Sequence, residues 1–451
     1  MKRAGSHTVV KVLDWLDDRL GHRAILSELL DEKLPPGTAW AFTLGSVLLV
    51  TLTVQFITGV LLGLYYAPTP DHAWDSVRYI SNQVRAGSFL RGLHHWGSSI
   101  IVVASILHLT RVVLFGSYKK PRDANWIVGL LLLQVILAFG LTGYLLPWDQ
   151  RAYWATTVTI NIAKLTPLAG DFLAALMRGG SEIGALTLVR WYAVHVLVLP
   201  VLLVALTGVH LYLMRRHHIS GPVTPKEGPS ERFFPHQAAR DLAMAVIVGV
   251  LLAVLAWKLS PTLEAPADPA SSDYIPRPEW YFLGLFQLLK YFPGKLEVIG
   301  ALVVPGVVMT LLALLPWLDR SPSRRWRDRK IVLAAFVGGL AAAVALTVLG
   351  ANDRPPAAMV SGQWSMAGAR AADAAAIKLV TKECLKCHVI DGVGGKEGPE
   401  LKNLTAKYDV AKIQQRIIDP SKVMPDAEMP PFGDKLTPDE ILAIAKWMIR
   451  K

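Results

Sequence analysis

The two cysteines of this chain stand three positions apart, and a histidine follows directly, in the pattern Cys384-x-x-Cys387-His388. This is the spacing of covalent c-type haem attachment, in which two thiols add to the haem vinyl groups and the histidine becomes an axial ligand. A redox-active thiol pair and half of a zinc site are the alternatives. Zinc would need two more thiolate or imidazole ligands, and residues 371–451 contain no other cysteine or histidine. The pattern therefore predicts one haem c.

The second axial ligand of this haem is expected to be a methionine, because no further histidine remains in residues 371–451. Met424 and Met429 are the candidates, since Met448 lies inside a predicted terminal helix that opens with a capping box at Thr437. Met429 is preferred, because the loop that begins with Met429-Pro-Pro-Phe resembles the methionine loop of class I cytochromes c.

Four histidines in apolar stretches form a second candidate site. His94 and His108 are 14 residues apart, and His195 and His210 are 15 apart. Both spacings are close to four helical turns, so each pair lies near one helix face, about 21–23 Å apart along the axis. A single membrane histidine is more often a packing residue, but two helices with a pair each predict two bis-histidine haem sites. His95 points away from His94 and is assigned to packing or hydrogen bonding.

Glycines repeat the interval of the histidines. Gly45 and Gly59 are 14 residues apart, as are Gly129 and Gly143. Glycine in a membrane helix usually marks close helix packing, but two pairs at this interval predict helices that thin out at the two porphyrin levels. Arg91 and Arg111 lie near one level each and could pair with haem propionates; anchoring at the membrane interface is the alternative role.

Long apolar helices must position these residues, and the composition agrees. Of the 451 residues, 52% are hydrophobic and 18% are charged, whereas about a quarter of a soluble protein is charged. A cytosolic enzyme, a disordered chain and a disulfide scaffold are thereby excluded. Charge-free windows near the roughly 20 residues that a membrane span needs predict seven spans, while the apolar piece 280–289 is too short. The windows are 39–66, 92–110, 124–148, 191–214, 242–257, 298–318 and 331–352.

The net charge of +12 indicates how these spans are oriented. Segments 1–38, 111–125, 215–241 and 319–330 hold 21 Lys and Arg against 12 Asp and Glu, whereas segments 67–91, 149–190 and 258–297 hold 11 against 10. The positive-inside rule places the N-terminus in the cytoplasm and, after seven spans, the C-terminal tail outside. The second and fourth spans then run in the same direction, which pairs His94 with His195 near the outer side and His108 with His210 near the inner side. The charge is a topology signal, so nucleic acid is not expected as a partner.

The predicted fold class is all-α: a polytopic helix bundle with two b haems, followed by a small all-α cytochrome c domain. Five segments are expected: an amphipathic cytoplasmic segment at 1–38, a four-helix dihaem domain at 39–215, a three-helix domain at 216–352, a linker at 353–370 and the cytochrome c domain at 371–451.

From about Pro36 to Asn352 the sequence resembles the cytochrome b/b6 subunit of quinol:cytochrome c oxidoreductases (the bc1 and b6f type). Pro147-Trp-Asp-Gln150 looks like the P-W-D-Q of cytochrome b6, and Pro278-Glu-Trp-Tyr281 like the P-E-W-Y of the quinol-oxidising pocket. The 15-residue histidine spacing and the seven spans are similar to b6 joined with its subunit IV. No cysteine lies on the first span, so the extra covalent haem of b6f is not expected. The fused tail is similar to that of some bacterial bcc-type reductases.

The resemblance implies the Q cycle. Glu279 would be the base or proton carrier for quinol oxidation at the outer face, and Tyr281 would bind the quinol or shape its pocket, with Pro278 and Trp280 beside them. One electron would pass through the two b haems to an inner quinone site, where His236 and Asp241 are plausible proton donors or simply solvated loop residues. The other would reach haem c through a Rieske iron–sulfur protein, which must be a separate partner because this chain has no cysteines left for a cluster.

The resemblance further implies a bacterial inner membrane, a downstream cytochrome c or terminal oxidase, lipid contact and a homodimeric complex. The main alternative is a non-catalytic dihaem anchor that connects another redox enzyme to the quinone pool. It predicts one quinone site and needs no outer base, so the segment Pro278–Tyr281 discriminates against it. A transporter would leave the haem motifs unexplained.

Overall fold

The structure is a computed structural model. It describes residues 4–224, 227–269, 274, 277–353, 376, 379–390, 393–395, 397–398, 401, 408–423 and 429–449. The chain divides into two compact units, Met1–Asp353 and Arg354–Lys451. Apart from Asp353, the predicted linker 353–370 lies outside the described residues.

Helices make up almost all of the first unit. The one ladder among its described residues is a short antiparallel pair of β1 (Lys33–Leu34) with β2 (Glu231–Arg232). In chain order the helices are α1 (Ala4–Leu20), α2 (His22–Leu30), α3 (Leu44–Gly63), α4 (Ala73–Asn82), α5 (Gly87–Leu114), α6 (Asp123–Leu145), α7 (Gln150–Lys164), α8 (Gly170–Arg178), α9 (Ala185–Arg216), α10 (Phe233–Lys258), α11 (Trp280–Leu289), α12 (Gly294–Leu318) and α13 (Lys330–Asn352).

Seven of these helices, within the described part of the chain, are long and apolar enough to cross a membrane: α3, α5, α6, α9, α10, α12 and α13. The predicted all-α bundle with seven spans is confirmed, and α11 is the short apolar piece expected at 280–289. Several spans extend beyond the predicted windows. Helix α5 begins at Gly87 rather than 92, because the charged Arg91 is accommodated by bonds to the carbonyl oxygens of Pro261 (3.0 Å) and Thr262 (2.8 Å).

The segment before the first span forms α1 and α2, as its amphipathic pattern predicts. Val12, Leu13 and Leu20 of α1 are exposed. An exposed apolar stripe of this kind suits the surface of a membrane.

A buried ionic cluster holds the turn between α5 and α6 against the turn between α12 and α13. Its members are Tyr118, Lys119, Asp319 and Arg329, and Oδ2 of Asp319 accepts a hydrogen bond from each of the other three. The Arg329 Nε and Lys119 Nζ atoms lie 2.8 and 2.9 Å from Oδ2. The Arg329 guanidinium also donates to the Tyr118 hydroxyl at 2.7 Å and has no exposed side-chain surface. Donors therefore surround the acid on several sides, and we call these four residues the Asp319 cluster.

Apolar packing continues inward from this cluster. Tyr118 and Trp126 are buried with Val113 and Leu130 against side chains of α12 and α13. The indole Nε1 of Trp126 donates to the carbonyl oxygen of Leu312 at 2.7 Å. The four-helix part and the three-helix part of the bundle are thus joined by a non-covalent contact as well as by the chain.

The second unit is smaller and packs around its own core. Helices α14 (Val410–Ile418) and α15 (Pro438–Ile449) pack together, and β3 (Val389–Ile390) pairs antiparallel with β4 (Val393–Gly394). The core contains Val380, Ile413, Ile417, Phe432, Ile441, Ile444, Ala445 and Met448. The predicted capping box is present: Thr437 Oγ1 accepts from the backbone N–H of Glu440, and the Glu440 carboxylate accepts from the backbone N–H of Thr437.

Candidate functional site

His94 on α5 and His195 on α9 face each other, with ring centres 6.4 Å apart. Nδ1 of His94 lies 2.9 Å from Thr58 Oγ1, and Nδ1 of His195 lies 2.8 Å from Thr142 Oγ1. Each threonine hydroxyl also donates to a carbonyl oxygen of its own helix, so its oxygen is left to accept from the imidazole Nδ1–H. This fixes the tautomer in which Nε2 of each histidine is free to bind a metal.

The separation of these two imidazoles suits a single metal between them. Two metal–nitrogen bonds of about 2 Å, plus roughly 1 Å from each nitrogen to its ring centre, place the ring centres about 6 Å apart. The observed 6.4 Å between His94 and His195 agrees with this. The residues at this level therefore fit a bis-histidine haem iron.

Glycines stand opposite both rings. A Cβ at Gly59 on α3 would lie 3.2 Å from Cε1 of His94, and a Cβ at Gly143 on α6 would lie 2.8 Å from Cε1 of His195. Any larger residue would crowd the imidazoles. Thr58 and Thr142 directly precede these two glycines. Neither threonine was predicted from the sequence, although their identical placement before the glycines is a signal that could have indicated them.

At the other end of the bundle, glycines also stand opposite His108 on α5 and His210 on α9. A Cβ at Gly45 would lie 3.8 Å from Cε1 of His108, and a Cβ at Gly129 would lie 3.3 Å from Cε1 of His210. All four predicted glycines therefore lie against one of the four predicted histidines.

Buried polar atoms without hydrogen-bond partners collect near this second level. Within the described part of the chain they include Nε of Arg111 and the side-chain oxygens of Ser117, Asn125 and Ser220. The Arg111 guanidinium lies over the Phe42 ring, 4.0 Å from its centre. A buried cation beside two hydroxyl groups fits an anionic group such as a haem propionate.

Arg91 differs from Arg111 because protein acceptors already bind it. Besides the carbonyl oxygens of Pro261 and Thr262, its guanidinium donates to Ser81 Oγ at 3.2 Å. These bonds tie the segment after α10 to α5, and a propionate contact of Arg91 stays a prediction.

Asp149, in the P-W-D-Q motif, is a buried helix cap. Its Oδ1 accepts from the backbone N–H of Ala152 at 2.9 Å, which caps α7, and its Oδ2 accepts from the backbone N–H of Glu264 at 3.1 Å. Burial raises the pKa of Asp149, although both of these hydrogen bonds oppose the rise. The motif thus ties the start of α7 to the segment that leads toward Pro278.

The P-E-W-Y motif lies against the same end of the bundle. Glu279 forms an ion pair with Arg151, in which Oε1 of Glu279 accepts a hydrogen bond from Nη1 of Arg151 at 2.8 Å. The Glu279 side chain is 13% exposed and that of Arg151 is 33% exposed. Arg151 is not among the residues predicted from the sequence, although its place directly after P-W-D-Q is a signal that could have indicated it.

The aromatic residues of this motif pack between α5 and α6. Nε1 of Trp280 donates to Ser99 Oγ at 3.1 Å, and a Cβ at Gly140 would lie 2.9 Å from the Tyr281 hydroxyl. Burial raises the pKa of Tyr281, and the nearby Glu279 carboxylate adds to the rise. Tyr281 is therefore a neutral hydrogen-bonding group at physiological pH.

The two residues predicted for an inner quinone site, His236 and Asp241, do not bind each other. His236 is exposed in the turn that begins α10, and no hydrogen bond or ion pair connects it to Asp241. Oδ1 of Asp241 accepts from Nε2 of the buried Gln237 at 2.9 Å. Gln237 is a further residue that was not predicted from the sequence.

In the second unit, Cys384, Cys387 and His388 lie around one turn. The backbone N–H groups of Cys387 and His388 both donate to the carbonyl oxygen of Cys384, at 3.2 and 2.9 Å. Burial raises the pKa of the Cys384 thiol to about 11. A Cβ at Gly398 would lie 2.6 Å from Cε1 of His388, so only glycine leaves this ring its space.

Met429 packs against the core of this unit from the loop before α15, whereas Met448 is buried within that core. Met448 is therefore a packing residue, and Met429 as a haem ligand stays a prediction. Met424, the alternative ligand, lies outside the described residues.

Three protein-family models match successive parts of the chain. Residues 29–218 match cytochrome b/b6/petB, residues 266–368 match cytochrome b(C-terminal)/b6/petD, and residues 371–448 match cytochrome C oxidase, cbb3-type, subunit III.

Individual relatives agree with these models. The menaquinol:cytochrome c reductase cytochrome b subunit of Geobacillus thermodenitrificans is 41% identical over 221 residues, which are 47% of this chain and 99% of that protein. The cytochrome b of Rickettsia conorii is 34% identical over 338 residues, 72% of this chain and 83% of that protein. A solved chain of a hyperthermophilic respiratory Complex III superimposes with a TM-score of 0.69 at 31% identity, covering 78% of this chain and 94% of that one.

Proposed function

This chain belongs to the cytochrome b/b6 family, and from that premise we propose that it is the cytochrome b and cytochrome c subunit of a bacterial quinol:cytochrome c oxidoreductase. The observation that carries the proposal is the meeting of two motifs, far apart in sequence, at one end of the bundle. There Arg151, next to P-W-D-Q, binds Glu279 of P-E-W-Y, on the same side as His94 and His195.

Quinol oxidation releases two protons and two electrons, so the pocket needs a group that accepts protons. Glu279 is that group, because its carboxylate is mostly shielded from water and has one cationic partner. Tyr281 and Trp280 form the aromatic wall between α5 and α6, and Pro278 precedes Glu279 in the same pocket. Asp149 accepts a hydrogen bond from the backbone of Glu264 and so holds the segment that leads to P-E-W-Y.

Each b haem would be held by a pair of histidines, one by His94 and His195 and the other by His108 and His210. The glycines beside these rings would leave space for the haems: Gly45, Gly59, Gly129 and Gly143. Arg91 and Arg111 would bind the haem propionates. Cys384, Cys387, His388 and Met429 would hold one haem c. When bound, these groups supply one-electron transfer between the quinol pocket, the inner quinone site and the outer acceptor. The chain's contribution is to orient the imidazoles through Thr58 and Thr142 and to exclude water from the bundle.

At the opposite end, Asp241 is the better candidate for donating a proton to a reduced quinone, because Gln237 holds it in place. His236 is exposed and could pass protons from solvent to that region. Together the two sites make a Q cycle, in which quinol is oxidised on one side of the membrane and quinone is reduced on the other.

A Rieske iron–sulfur protein is the required partner, and the haem c domain would be its electron acceptor. A downstream cytochrome c or oxidase would take the electrons onward. We place the chain in the bacterial inner membrane, with the N-terminus in the cytoplasm and the haem c domain outside, in a homodimeric complex.

The alternative is a non-catalytic dihaem anchor for another redox enzyme. Such an anchor has no need of a shielded carboxylate with a cationic partner at the outer end. The Glu279–Arg151 pair therefore favours the reductase.

The activity is tested with Glu279→Gln in the purified complex. We expect turnover with quinol and cytochrome c to fall on the order of 100-fold, as for the loss of a general base, while haem content is unchanged. The exposed Glu182→Gln is the matched control and should keep full turnover. Unaltered turnover in Glu279→Gln would remove the proposed role of this residue.

The cofactors are tested by a pyridine haemochrome assay. The four histidines and the Cys384–His388 motif together predict two b haems for each c haem. Equal amounts of b and c haem would contradict the assignment of two bis-histidine levels.

A further inference from the structure

Arg151 occupies a fixed position at the start of α7. It is the second residue of that helix, and the Asp149 side chain caps the helix through the backbone N–H of Ala152. Nε1 of Trp154 donates to Oε1 of Gln150 at 3.0 Å, which ties together the first turn. The backbone that carries Arg151 is therefore held by the P-W-D-Q motif itself.

The guanidinium reaches from this turn to P-E-W-Y. Within the described residues, its one side-chain hydrogen bond is to Glu279, from Nη1 to Oε1 at 2.8 Å. Arginine often binds a carboxylate through both oxygens, but the hydrogen bond here goes to Oε1. Oε2 of Glu279 therefore accepts no hydrogen bond from Arg151.

The remaining surroundings of Glu279 do not fix its side chain in the same way. The backbone carbonyl oxygen of Glu279 accepts from the N–H of Phe282 at 2.8 Å, which orders the main chain of the motif. As far as the structure describes the chain, the carboxylate takes its side-chain hydrogen bond from Arg151, which is partly open to solvent. A mostly shielded carboxylate that lost its cation would be free to rotate or to take up water.

We propose that Arg151 is a positioning residue for quinol oxidation, a role that rests on the proposed function of Glu279. Arg151 holds Oε1 and turns Oε2 toward the pocket, where Oε2 accepts the proton of a quinol hydroxyl group. Protonation removes the negative charge that Arg151 attracts, so the neutral carboxyl group separates from the guanidinium and releases its proton to solvent. The electrons leave to the acceptors of the proposed function. The restored carboxylate binds Arg151 again and takes up the proton of the second quinol hydroxyl group in the same way.

This proposal is tested by a double-mutant cycle in the purified complex, with Arg151→Gln, Glu279→Gln and both together. Turnover is measured with a short-chain menaquinol or ubiquinol, whichever the unaltered complex oxidises faster. We expect Arg151→Gln to lower kcat roughly 10-fold with little change in KM, because misplacement of a catalytic group slows the chemical step. In the Glu279→Gln background the same substitution should have almost no further effect, because Arg151 acts through Glu279.

Two further variants separate positioning from folding. Arg151→Lys keeps the charge and should recover most of the turnover, with kcat within about threefold of the unaltered complex. Lys164→Gln removes a charge from the last turn of the same helix and should leave kcat unchanged. Haem content and the reduced haem spectra should be the same in all variants.

The outcomes distinguish this proposal from the one it rests on. If the two substitutions multiply their effects, or if Arg151→Gln raises KM alone, Arg151 acts on the quinol or elsewhere and the positioning role is wrong. Normal or faster turnover in Arg151→Gln overturns it as well. If Glu279→Gln itself turns over normally, the proposed function of Glu279 fails first.

Discussion

Glu279 and Asp319 lie at opposite ends of the same bundle, and each binds an arginine, yet their surroundings differ in kind. Oδ2 of Asp319 accepts from three side chains, and its partner Arg329 has no exposed side-chain surface. Among the described residues, Arg151 is the one side-chain donor to Glu279, and it is one-third exposed. Chemically similar ion pairs thus suit different roles. An acid that is bound on several sides cannot easily move or exchange its proton, whereas the proton carrier that we propose at Glu279 needs a partner that it can leave.

The largest effect that we expect is a loss of folding stability when the acid of the Asp319 cluster is removed. Asp319→Ala removes the common acceptor of the Asp319 cluster and leaves Lys119 and Arg329 buried without it. Removing one member of a buried ion pair costs about 3–5 kcal/mol, so the thermal unfolding midpoint in detergent, followed by circular dichroism, should fall clearly.

The matched control is Glu279→Ala, at the other end. Its partner is partly exposed, and pairs of that kind contribute up to about 1 kcal/mol, so the midpoint should change little. Equal losses of stability in the two variants would show that the ends do not differ in the way described.

A smaller effect is expected from pH. Burial by itself raises the pKa of Asp319, but hydrogen bonds from Tyr118, Lys119 and Arg329 outweigh it, and the pKa lies below its usual range. A lowered pKa in the folded state stabilises the fold above the unfolded-state pKa of about 4. That contribution is lost as the pH falls through the folded-state value.

We therefore expect the unaltered protein to unfold at a higher temperature than Asp319→Asn. This difference in midpoint should have its largest value at pH 6 and should become smaller below about pH 4. The same midpoints measured across this range provide the check. A difference that stays constant from neutral to acid pH would mean that the ionised form of Asp319 is not what stabilises the cluster.

Much of the bundle could be predicted from sequence because its features repeat along single helices. The intervals between His94 and His108, and between Gly45 and Gly59, follow from the helical period. The structure places those glycines and histidines against one another. The seven spans were predictable for a related reason, since a bilayer requires about 20 apolar residues in each.

The ion pairs were not predictable, because their partners are distant in sequence. Arg151 and Glu279 are 128 residues apart, and Tyr118 and Asp319 are 201 apart. No local spacing indicates such a contact; it depends on how the helices pack. The start of α5 was misplaced for the same reason, since the acceptors that accommodate Arg91 come from the segment after α10.

The contact between the turns α5–α6 and α12–α13 has a consequence for how the gene could be divided. The four-helix part and the three-helix part of the bundle are joined by contacts that do not involve the peptide between α9 and α10. These contacts are made by Tyr118, Trp126, Asp319 and Arg329. Two separate polypeptides, cut in that connection, would still carry complementary surfaces with both charges and apolar side chains in place. We therefore expect the two parts, made as separate polypeptides, to assemble in the membrane through this contact.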